Sequence, residues 1–151
     1  MKKQKKIGLI CAHGGHLVEI LQLLKVFEGY PHFFITYDEQ ATLNLKDSYR
    51  FANFAKHPFS LIPAVLKLFC IFLKERPAIL FSTGAEIAIL PFYIGKFLFQ
   101  TKLIYLECSA QVYQPSLTGR LVYPITDLFL VQWEPLLRRY GPKARYAGGL
   151  I

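Results

Sequence analysis

The amino-acid sequence predicts an α/β protein built on a mainly parallel sheet. Short apolar runs alternate with longer amphipathic runs along the 151 residues, a pattern typical of strands joined by helices. A glycine pair, Gly14-Gly15, separates the first apolar run from the first helical pattern. The length suits one domain with a buried core, and we expect residues 1–151 to form it.

The predicted strands are apolar runs bounded by polar or glycine-containing turns. They lie near 7–12, 32–37, 78–82, 102–107 and 128–132, with a weaker strand near 51–54. Amphipathic runs predict helices near 16–28, 60–75, 85–99, 117–124 and 134–140. The most polar stretch, 38–50, is predicted to be a flexible loop or broken helix, and 145–151 a short strand or exit segment.

Composition indicates a surface that meets something both anionic and apolar. Apolar residues make up 53% of the chain and the net charge is +8, whereas the usual apolar share is about 45–50%. A membrane surface fits this balance. Charge alone would also allow nucleic acid, but we expect no nucleic-acid partner, because the sequence has no zinc-ligand spacing, aromatic RNA-binding strand or regular basic helix. The basic start, residues 1–6, is a solvated tail or is attracted to anionic lipid headgroups, and no signal peptide is predicted.

Cysteine and histidine usage points to neither disulfides nor a metal centre. Cys11, Cys70 and Cys108 stand in apolar surroundings without a pairing pattern, which predicts buried thiols in a reducing compartment. The four histidines show no ligand spacing, so the sequence predicts no metal and no cofactor.

Two predicted helices are unusually apolar. The run Phe59–Leu73 has Lys67 near its middle and is shorter than the roughly 20 apolar residues that cross a bilayer. Residues 59–74 therefore form a core helix, a helix lying in the membrane plane, or both at once. The run 87–99 is similarly apolar, and two such helices exceed what one sheet needs, which indicates contact with lipid.

Polar turns follow four of the predicted strands, and ligands of parallel sheets gather at these carboxyl ends. The turns are His13-Gly14-Gly15-His16, Thr83-Gly84-Ala85-Glu86, Glu107-Cys108-Ser109 and Gln132-Trp133-Glu134. A strand, a glycine pair and a helix in succession present free N–H groups to a phosphate. We therefore predict a diphosphate site at Gly14 and Gly15, completed by Thr83 and Gly84. The plain alternative is a glycine turn beside a surface histidine.

Two side chains in these turns are candidate bases. Glu107 ends an apolar strand, where a carboxylate is costly unless it faces a cleft, a cation or a hydroxyl group. Its alternatives are a helix N-cap or a salt bridge to Arg120 or Lys102. His16 is the second candidate, and its alternative is a helix-capping role with a solvent-facing ring. For Trp133, core packing or an interface is the expected role.

Both ends of the sequence resemble a known family. Gly14-Gly15-His16, followed by Glu19 and Leu23-Leu24, resembles the start of the acceptor domain in GT-B glycosyltransferases of the MurG type. The block from Glu107 to Leu150 resembles the anchoring subunit of the eukaryotic two-part UDP-GlcNAc transferase and its bacterial PssD-type exopolysaccharide counterparts. The residues that carry this likeness are Leu117-Thr118-Gly119-Arg120-Leu121-Val122-Tyr123-Pro124, Asp127, Phe129, Val131-Gln132-Trp133, Leu136 and Tyr146-Ala147-Gly148. Residues 38–58 match least.

The resemblance implies a Rossmann-like domain that is the N-terminal, acceptor-binding half of a GT-B enzyme. Such a subunit binds a polyprenol-diphosphate-linked saccharide at the cytoplasmic face of the inner membrane, as a peripheral or monotopic protein. A separate donor-binding subunit supplies the UDP-sugar, and the heterodimer acts in exopolysaccharide or capsule biosynthesis. The implied catalytic residues are His16 and Glu107. Trp133, Tyr146 and Leu150 are expected to face the partner.

Eukaryotic members of this family carry an N-terminal transmembrane helix, whereas we expect none from this sequence. The sequence also stops where a single-chain GT-B enzyme would continue into its donor half, so we expect little activity without the partner. Two other functions remain open. One is a self-sufficient nucleotide-binding enzyme, for instance of flavodoxin-like architecture, and the other is a non-catalytic membrane adaptor that recruits and stabilises a glycosyltransferase.

Overall fold

A computed structural model describes residues 5–53, 58–146 and 148–150. Within them, the strands are β1 Lys6–Ile10, β2 His32–Tyr37, β3 Ser48–Phe51, β4 Pro77–Ser82, β5 Lys102–Leu106, β6 Leu128–Val131 and β7 Ala144–Tyr146. The α-helices are α1 Gly15–Leu23, α2 Leu61–Glu75, α3 Ile89–Phe99, α4 Leu117–Val122 and α5 Pro135–Tyr140. Short 3₁₀ turns cover Leu24–Phe27, Gln40–Thr42, Pro58–Ser60 and Glu86–Ala88.

All strand pairs are parallel, and the order across the sheet is β3-β2-β1-β4-β5-β6-β7. Leu9 of β1 lies in register with Phe34 of β2 on one side and Phe81 of β4 on the other. The chain reverses its direction across the sheet between β1 and β4, which makes this pair the topological switch point. The predicted Rossmann-like α/β class is confirmed. The flavodoxin-like alternative is wrong, because that architecture places β1 beside β3.

One face of the sheet is packed under four helices. Residues of α2, α3, α4 and α5 bury a core that includes Phe72, Phe92 and Phe129. On the opposite face, α1 and the turn after it pack Ile20 and Phe27 against the strands. Beyond α1 this second face holds a cavity of about 310 Å³, lined by Leu23, Val26, Phe27, Phe81, Ile104, Leu106, Leu128, Leu130 and the segment 148–150.

One strand begins and ends earlier in the chain than predicted from the sequence. The weak strand predicted near 51–54 lies at Ser48–Phe51, so the end of the stretch predicted as a loop is an edge strand. The polar residues of 38–50 gave no apolar pattern from which this strand could be predicted. In the structure, Tyr49 packs edge-on against Phe33, with 5.7 Å between ring centroids, and Phe51 is buried. Residues 54–57 lie outside the described part. The predicted exit segment begins as β7, and residues 147 and 151 also lie outside the described part.

Helix α2 has a buried face and an exposed apolar face. Ala64, Leu68 and Phe72 are buried, whereas Ile62 and Leu66 on the outward side are 73% and 64% exposed. The neighbouring helix α3 adds Phe97 and Leu98, both exposed. Among the described residues, no helix has the length and hydropathy that spanning a membrane requires.

The three cysteines differ in their surroundings. Cys11 is buried, Cys108 is half-buried and Cys70 is exposed. The expectation of three buried thiols is therefore wrong for Cys70, because it lies on the outward side of α2. Burial raises the pKa of the Cys11 thiol to about 12, so this thiol stays protonated at neutral pH.

Candidate functional site

The turn between β1 and α1 presents bare backbone to solvent. Gly14 has a positive φ of 79°, and α1 begins at the next residue without a side-chain cap. The amides of Gly15, His16 and Leu17 precede the first helical hydrogen bond, which Val18 N donates to Gly14 O at 3.1 Å. No described atom lies within 4 Å of where a Cβ would stand on Gly14 or Gly15. The turn therefore offers N–H groups to an anion.

His16 at this turn is connected to the turn after β4. The Thr83 hydroxyl donates to His16 O at 2.8 Å, and His16 Nδ1 lies 2.9 Å from Thr83 O. A carbonyl oxygen only accepts, so Nδ1 carries the proton and neutral His16 keeps its lone pair on Nε2. The turns after β1 and β4 are thus joined by hydrogen bonds, and the tautomer of His16 is fixed by a backbone carbonyl.

Gly84 provides the space for this arrangement. Its φ is 117°, and a Cβ built on it would stand 2.8 Å from Cε1 and 3.0 Å from Nδ1 of His16. The Gly84 amide donates to Ser82 Oγ at 3.1 Å, and Ala85 follows with a positive φ of 68°. Thr83 and Gly84 are both buried, so they support His16 from behind and leave the open surface to Gly14 and Gly15.

Glu107 lies at the end of β5 and is 0% exposed. Its Oε1 accepts from Cys108 N at 3.1 Å and from the Tyr105 hydroxyl at 3.4 Å. Its Oε2 accepts from Ser116 N at 3.2 Å, from Ser116 Oγ at 3.0 Å and from the hydroxyl of Tyr140. The carboxylate is therefore saturated with donors at the start of helix α4, whose N-cap is Ser116.

The surroundings of Glu107 decide between the predicted alternatives. Among the described residues, Lys102 pairs with Asp127 at 3.4 Å and Arg120 is exposed, and Glu107 makes no ion pair with either. Glu107 is not the N-cap of α4 either, because Ser116 has that position and donates to the carboxylate from its N–H and its hydroxyl. Burial, together with the Glu107 carboxylate, raises the pKa of Tyr105 and of Tyr140, so both phenols remain hydrogen-bond donors.

A second buried carboxylate, Glu19, was not among the site residues predicted from the sequence. It lies three residues after His16 on the same side of α1 and is 2% exposed. Its Oε1 accepts from Ser109 N at 2.8 Å and from Gln132 Nε2 at 3.2 Å. Its Oε2 has no hydrogen-bond partner among the described residues. A glutamate in the first turns of a helix that follows a glycine turn was the available signal.

Gln132 connects Glu19 to the end of the chain. Its side-chain amide also donates to Glu107 O at 3.1 Å, and its Oε1 accepts from Leu150 N at 2.9 Å. Beside Glu19, burial raises the pKa of the half-buried Cys108 thiol, and the Glu19 carboxylate adds to this effect. The helix α1, the strand ends of β5 and β6 and the exit segment thus share one buried polar network.

The residues predicted to face a partner lie around this network or at the edge of the sheet. The Trp133 indole N–H donates to Ser109 O at 2.7 Å, while much of the ring stays exposed. Leu150 is half-buried and lines the apolar cavity on the second face. Tyr146 lies on the edge strand β7 with an exposed side chain.

Comparison with known proteins gives a family match over most of the chain. The family model described as "Oligosaccharide biosynthesis protein Alg14 like" matches residues 44–150. The "UDP-N-acetylglucosamine transferase subunit ALG14" of Candida albicans is 29% identical over 184 aligned positions, which cover 100% of this chain and 83% of that protein. The subunit of the same name from Saccharomyces cerevisiae is 24% identical, with 99% of this chain and 78% of that protein covered.

Solved structures share the fold. MurG from Acinetobacter baumannii superimposes with a TM-score of 0.77 at 13% identity, covering 97% of this chain and 46% of that chain. The UDP-GlcNAc 2-epimerase of Methanocaldococcus jannaschii gives a TM-score of 0.74 at 14% identity, covering 95% of this chain and 45% of that chain. The chain thus spans about half the length of these structures. At these identities the likeness concerns the fold alone.

Proposed function

Because this chain belongs to the Alg14-like family of oligosaccharide biosynthesis proteins, we propose that it is the acceptor-binding subunit of a two-part glycosyltransferase. A separate donor-binding subunit brings a UDP-sugar to the acceptor, a polyprenol-diphosphate-linked saccharide. The heterodimer transfers the sugar in exopolysaccharide or capsule biosynthesis, as in bacterial PssD-type systems. The proposal is supported by relatives named as transferase subunits and by a chain that spans about half the length of the GT-B fold of MurG.

The observation that carries the proposal is an open glycine turn directly beside a histidine of fixed tautomer. The free amides after Gly14 suit a diphosphate, because a helix N-terminus favours negative charge. Thr83 and Gly84 complete the proposed diphosphate site by holding the second turn against His16. The turn is exposed, as expected for one wall of a crevice whose other wall belongs to the donor subunit.

In the proposed reaction, the acceptor hydroxyl attacks the anomeric carbon of the UDP-sugar and UDP leaves from the opposite side. His16 Nε2 takes the proton of that hydroxyl, because its lone pair is the one that the Thr83 contact leaves available. Glu107, the other candidate base, is fully buried under five donor contacts. We assign to it the positioning of the β5–α4 turn, and proton removal to His16.

The proposed partner surface comprises Trp133, Tyr146 and Leu150. What supports it is the apolar cavity beside Leu150, which side chains of β4, β5 and β6 line together with the end of α1 and the turn after it. A donor subunit that closes this cavity also reaches Gln132, which hydrogen-bonds to Leu150 and to Glu19. Hydrogen bonds therefore connect the proposed partner surface to helix α1, which begins at the Gly14–Gly15 turn.

The proposed membrane contact is the exposed side of α2 and its neighbours, at the cytoplasmic face of the membrane. Phe59, Ile62 and Leu66 are largely exposed, as is Leu117 at the start of α4. Arg120, one helical turn after Leu117 on α4, is exposed and lines a cavity with Arg139. Exposed apolar side chains and arginines on the same chain suit binding to an anionic lipid interface.

The test is a transfer assay with the reconstituted pair, a UDP-sugar and polyprenol-diphosphate-linked acceptor in vesicles. We expect His16→Ala to lower kcat by about 10²- to 10⁴-fold, the range of one general base, without loss of pairing. His32→Ala is the matched control, since this histidine lies at the start of β2, at the opposite end of the strands. Undiminished turnover of His16→Ala would remove His16 from the reaction.

One observation favours the adaptor alternative, namely the saturation of Glu107 by hydrogen bonds, which is typical of a structural carboxylate. In that case the partner alone performs the chemistry. Full partner activity with His16→Ala and Glu107→Gln combined would support the adaptor, provided that acidic replacements on α2 still abolish activity. Loss of turnover in the double variant with intact pairing supports the acceptor-subunit proposal.

A further inference from the structure

Three potential metal ligands from two distant parts of the sequence lie close together next to the Gly14–Gly15 turn. A ring nitrogen of His16, a carboxylate oxygen of Glu19 and Cys108 Sγ lie within 4.8 Å of one another. His16 and Glu19 are one helical turn apart on α1, and Cys108 follows the end of β5. The sequence showed no ligand spacing because the third member lies 89 residues after Glu19. We propose that these three residues bind a thiophilic divalent cation of the zinc class.

The buried carboxylate supplies the first argument. Glu19 is 2% exposed, and only its Oε1 has partners, the amides of Ser109 and Gln132. Its Oε2 has none among the described residues. A buried carboxylate oxygen without a donor is costly, and a cation bound to it would remove that cost. The two amides also hold the carboxylate in place, as hydrogen-bond donors to metal-binding carboxylates do.

The histidine supplies the second argument. Metal-binding histidines commonly donate one ring N–H to a backbone carbonyl, which directs the lone pair of the other nitrogen towards the ion. His16 has the hydrogen bond that this arrangement requires, because Nδ1 lies 2.9 Å from Thr83 O, and Nε2 keeps the lone pair that would bind the ion. The ring is only half-buried, so an ion can enter from the open glycine turn.

The donor set selects the class of cation. One imidazole, one thiolate and one carboxylate are ligands of Zn²⁺, whereas Mg²⁺ and Ca²⁺ prefer oxygen donors. Around a tetrahedral zinc ion, ligand atoms lie roughly 3.3–3.6 Å apart. The three ligand atoms lie within 4.8 Å of one another here, so the distances between them must shorten by up to about 1 Å or slightly more. Small rotations of the side chains allow this. Three protein ligands leave a fourth position for water or a phosphate oxygen.

Binding has a functional consequence that rests on the proposed function. The cation and the proton of the acceptor hydroxyl compete for the same lone pair on His16. The zinc-bound subunit is therefore expected to be inactive in sugar transfer, and a chelator that removes the ion should restore the transfer activity. Metal binding itself does not depend on the proposed function, since it is measured on the full chain without sugar or partner.

The experiment titrates the full-length, tag-free protein with Zn²⁺ against a chromophoric chelator, and with Co²⁺ followed by absorption. We expect one ion per chain and a cobalt–thiolate charge-transfer band. Cys108→Ser should abolish the band and weaken Zn²⁺ binding at least about tenfold, as should Glu19→Gln. Cys70→Ser is the matched control, because that thiol is exposed on α2, and it should change neither.

Absence of stoichiometric binding to the folded wild-type chain overturns the proposal, as does a cobalt band that Cys108→Ser retains. Glu19→Gln could unfold the protein because the side chain is buried, so its fold is checked by circular dichroism. If Glu19→Gln is unfolded, the result for Cys108→Ser alone tests the proposal. Failure of binding leaves the transfer assay with His16→Ala unaffected. Failure of sugar transfer likewise leaves the metal titration intact, so the two proposals fall separately.

Discussion

Thr83 and His16 are joined by two hydrogen bonds that run in opposite directions. The Thr83 hydroxyl donates to the carbonyl of His16 at 2.8 Å, and the ring of His16 donates to the carbonyl of Thr83 at 2.9 Å. The pair bridges the turns after β1 and β4, which are adjacent strands at the topological switch point. The imidazole is therefore held by a main-chain carbonyl group.

Thr83→Val removes the donated hydroxyl while keeping a β-branched side chain of similar size. We expect the free energy of unfolding to fall by about 1 kcal/mol, the value of one hydrogen bond. Turnover of the reconstituted pair should fall about tenfold, because the His16 main chain loses the hydrogen bond that positions it against the turn after β4. Urea unfolding and the transfer assay measure the two effects, with Thr83→Ser as the variant that keeps the hydroxyl. Equal turnover for the Val and Ser variants would contradict this role.

Gly84→Ala introduces a Cβ that contacts the His16 ring, at a residue with a φ of 117°. We expect a loss of roughly 1–3 kcal/mol in the free energy of unfolding, from backbone strain and the contact together. The NMR signals of the His16 ring should shift as well. Gly29→Ala is the control, since Gly29 also has a positive φ but no described atom within 4 Å of where its Cβ would stand. If both variants leave the His16 signals unchanged, the contact is not made.

Glu107→Gln keeps the shape of the side chain but turns one acceptor oxygen into a donor facing N–H and O–H groups. We expect a loss of about 1–3 kcal/mol in the free energy of unfolding, since buried donors lose their acceptor. Tyr140→Phe should lose less, because only one of the five contacts is removed. A Glu107→Gln variant of wild-type stability with turnover reduced about a hundredfold would instead make Glu107 a catalytic group.

Asp127 makes stability depend on pH in acid. Burial alone would raise the pKa of its carboxyl, but the Leu103 N–H at 2.9 Å and the ammonium groups of Lys96 and Lys102 lower it. The folded pKa thus lies below the unfolded value of about 3.9, so the stabilisation is present above about pH 4 and is lost as pH falls through the folded pKa. Asp127→Asn should flatten the acid limb of the stability profile, measured by urea unfolding, whereas Asp38→Asn at an exposed carboxylate should not. An unchanged acid limb in Asp127→Asn would contradict this assignment.

Ile62→Glu and Leu66→Glu place charges on the outward side of α2, where the replaced side chains are largely exposed. We expect binding to vesicles that contain anionic lipid to drop at least about tenfold, because apolar area and charge attraction are both reduced. Co-sedimentation measures it. Val18→Glu is the matched control, since Val18 is exposed on α1, under the other face of the sheet. Retained binding in both α2 variants would place the lipid contact elsewhere.

Most of the fold was predictable because it depends on local pattern. The apolar run that predicts a helix near 60–75 gives α2 at Leu61–Glu75, and the run near 32–37 gives β2 at the same residues. The edge strand β3 was misplaced because an edge strand can be polar and still pair through its backbone. The likeness to the family of the transferase-anchoring subunit is confirmed by the match over residues 44–150, whereas the likeness to bacterial PssD-type proteins stays a prediction.

The site was predictable only in part, because its contacts are not local. Strand–turn–helix order was enough to predict the turn at Gly14 and Gly15. The contact of Ser116 and Tyr140 with Glu107 requires elements that follow β5 to fold back over its end. The proximity of Cys108 to Glu19 is likewise set by the sheet order. Spacing along the chain carries no information on such pairs.

The exposure of Cys70 provides a built-in reporter. Its thiol is the accessible one, since Cys11 is buried and Cys108 half-buried, and it lies on α2 among the side chains assigned to lipid. An environment-sensitive fluorophore attached there would report, by its emission colour, whether this helix rests in water, at the headgroups or among acyl chains. The emission spectrum of a single label would therefore report how deeply α2 lies in the membrane.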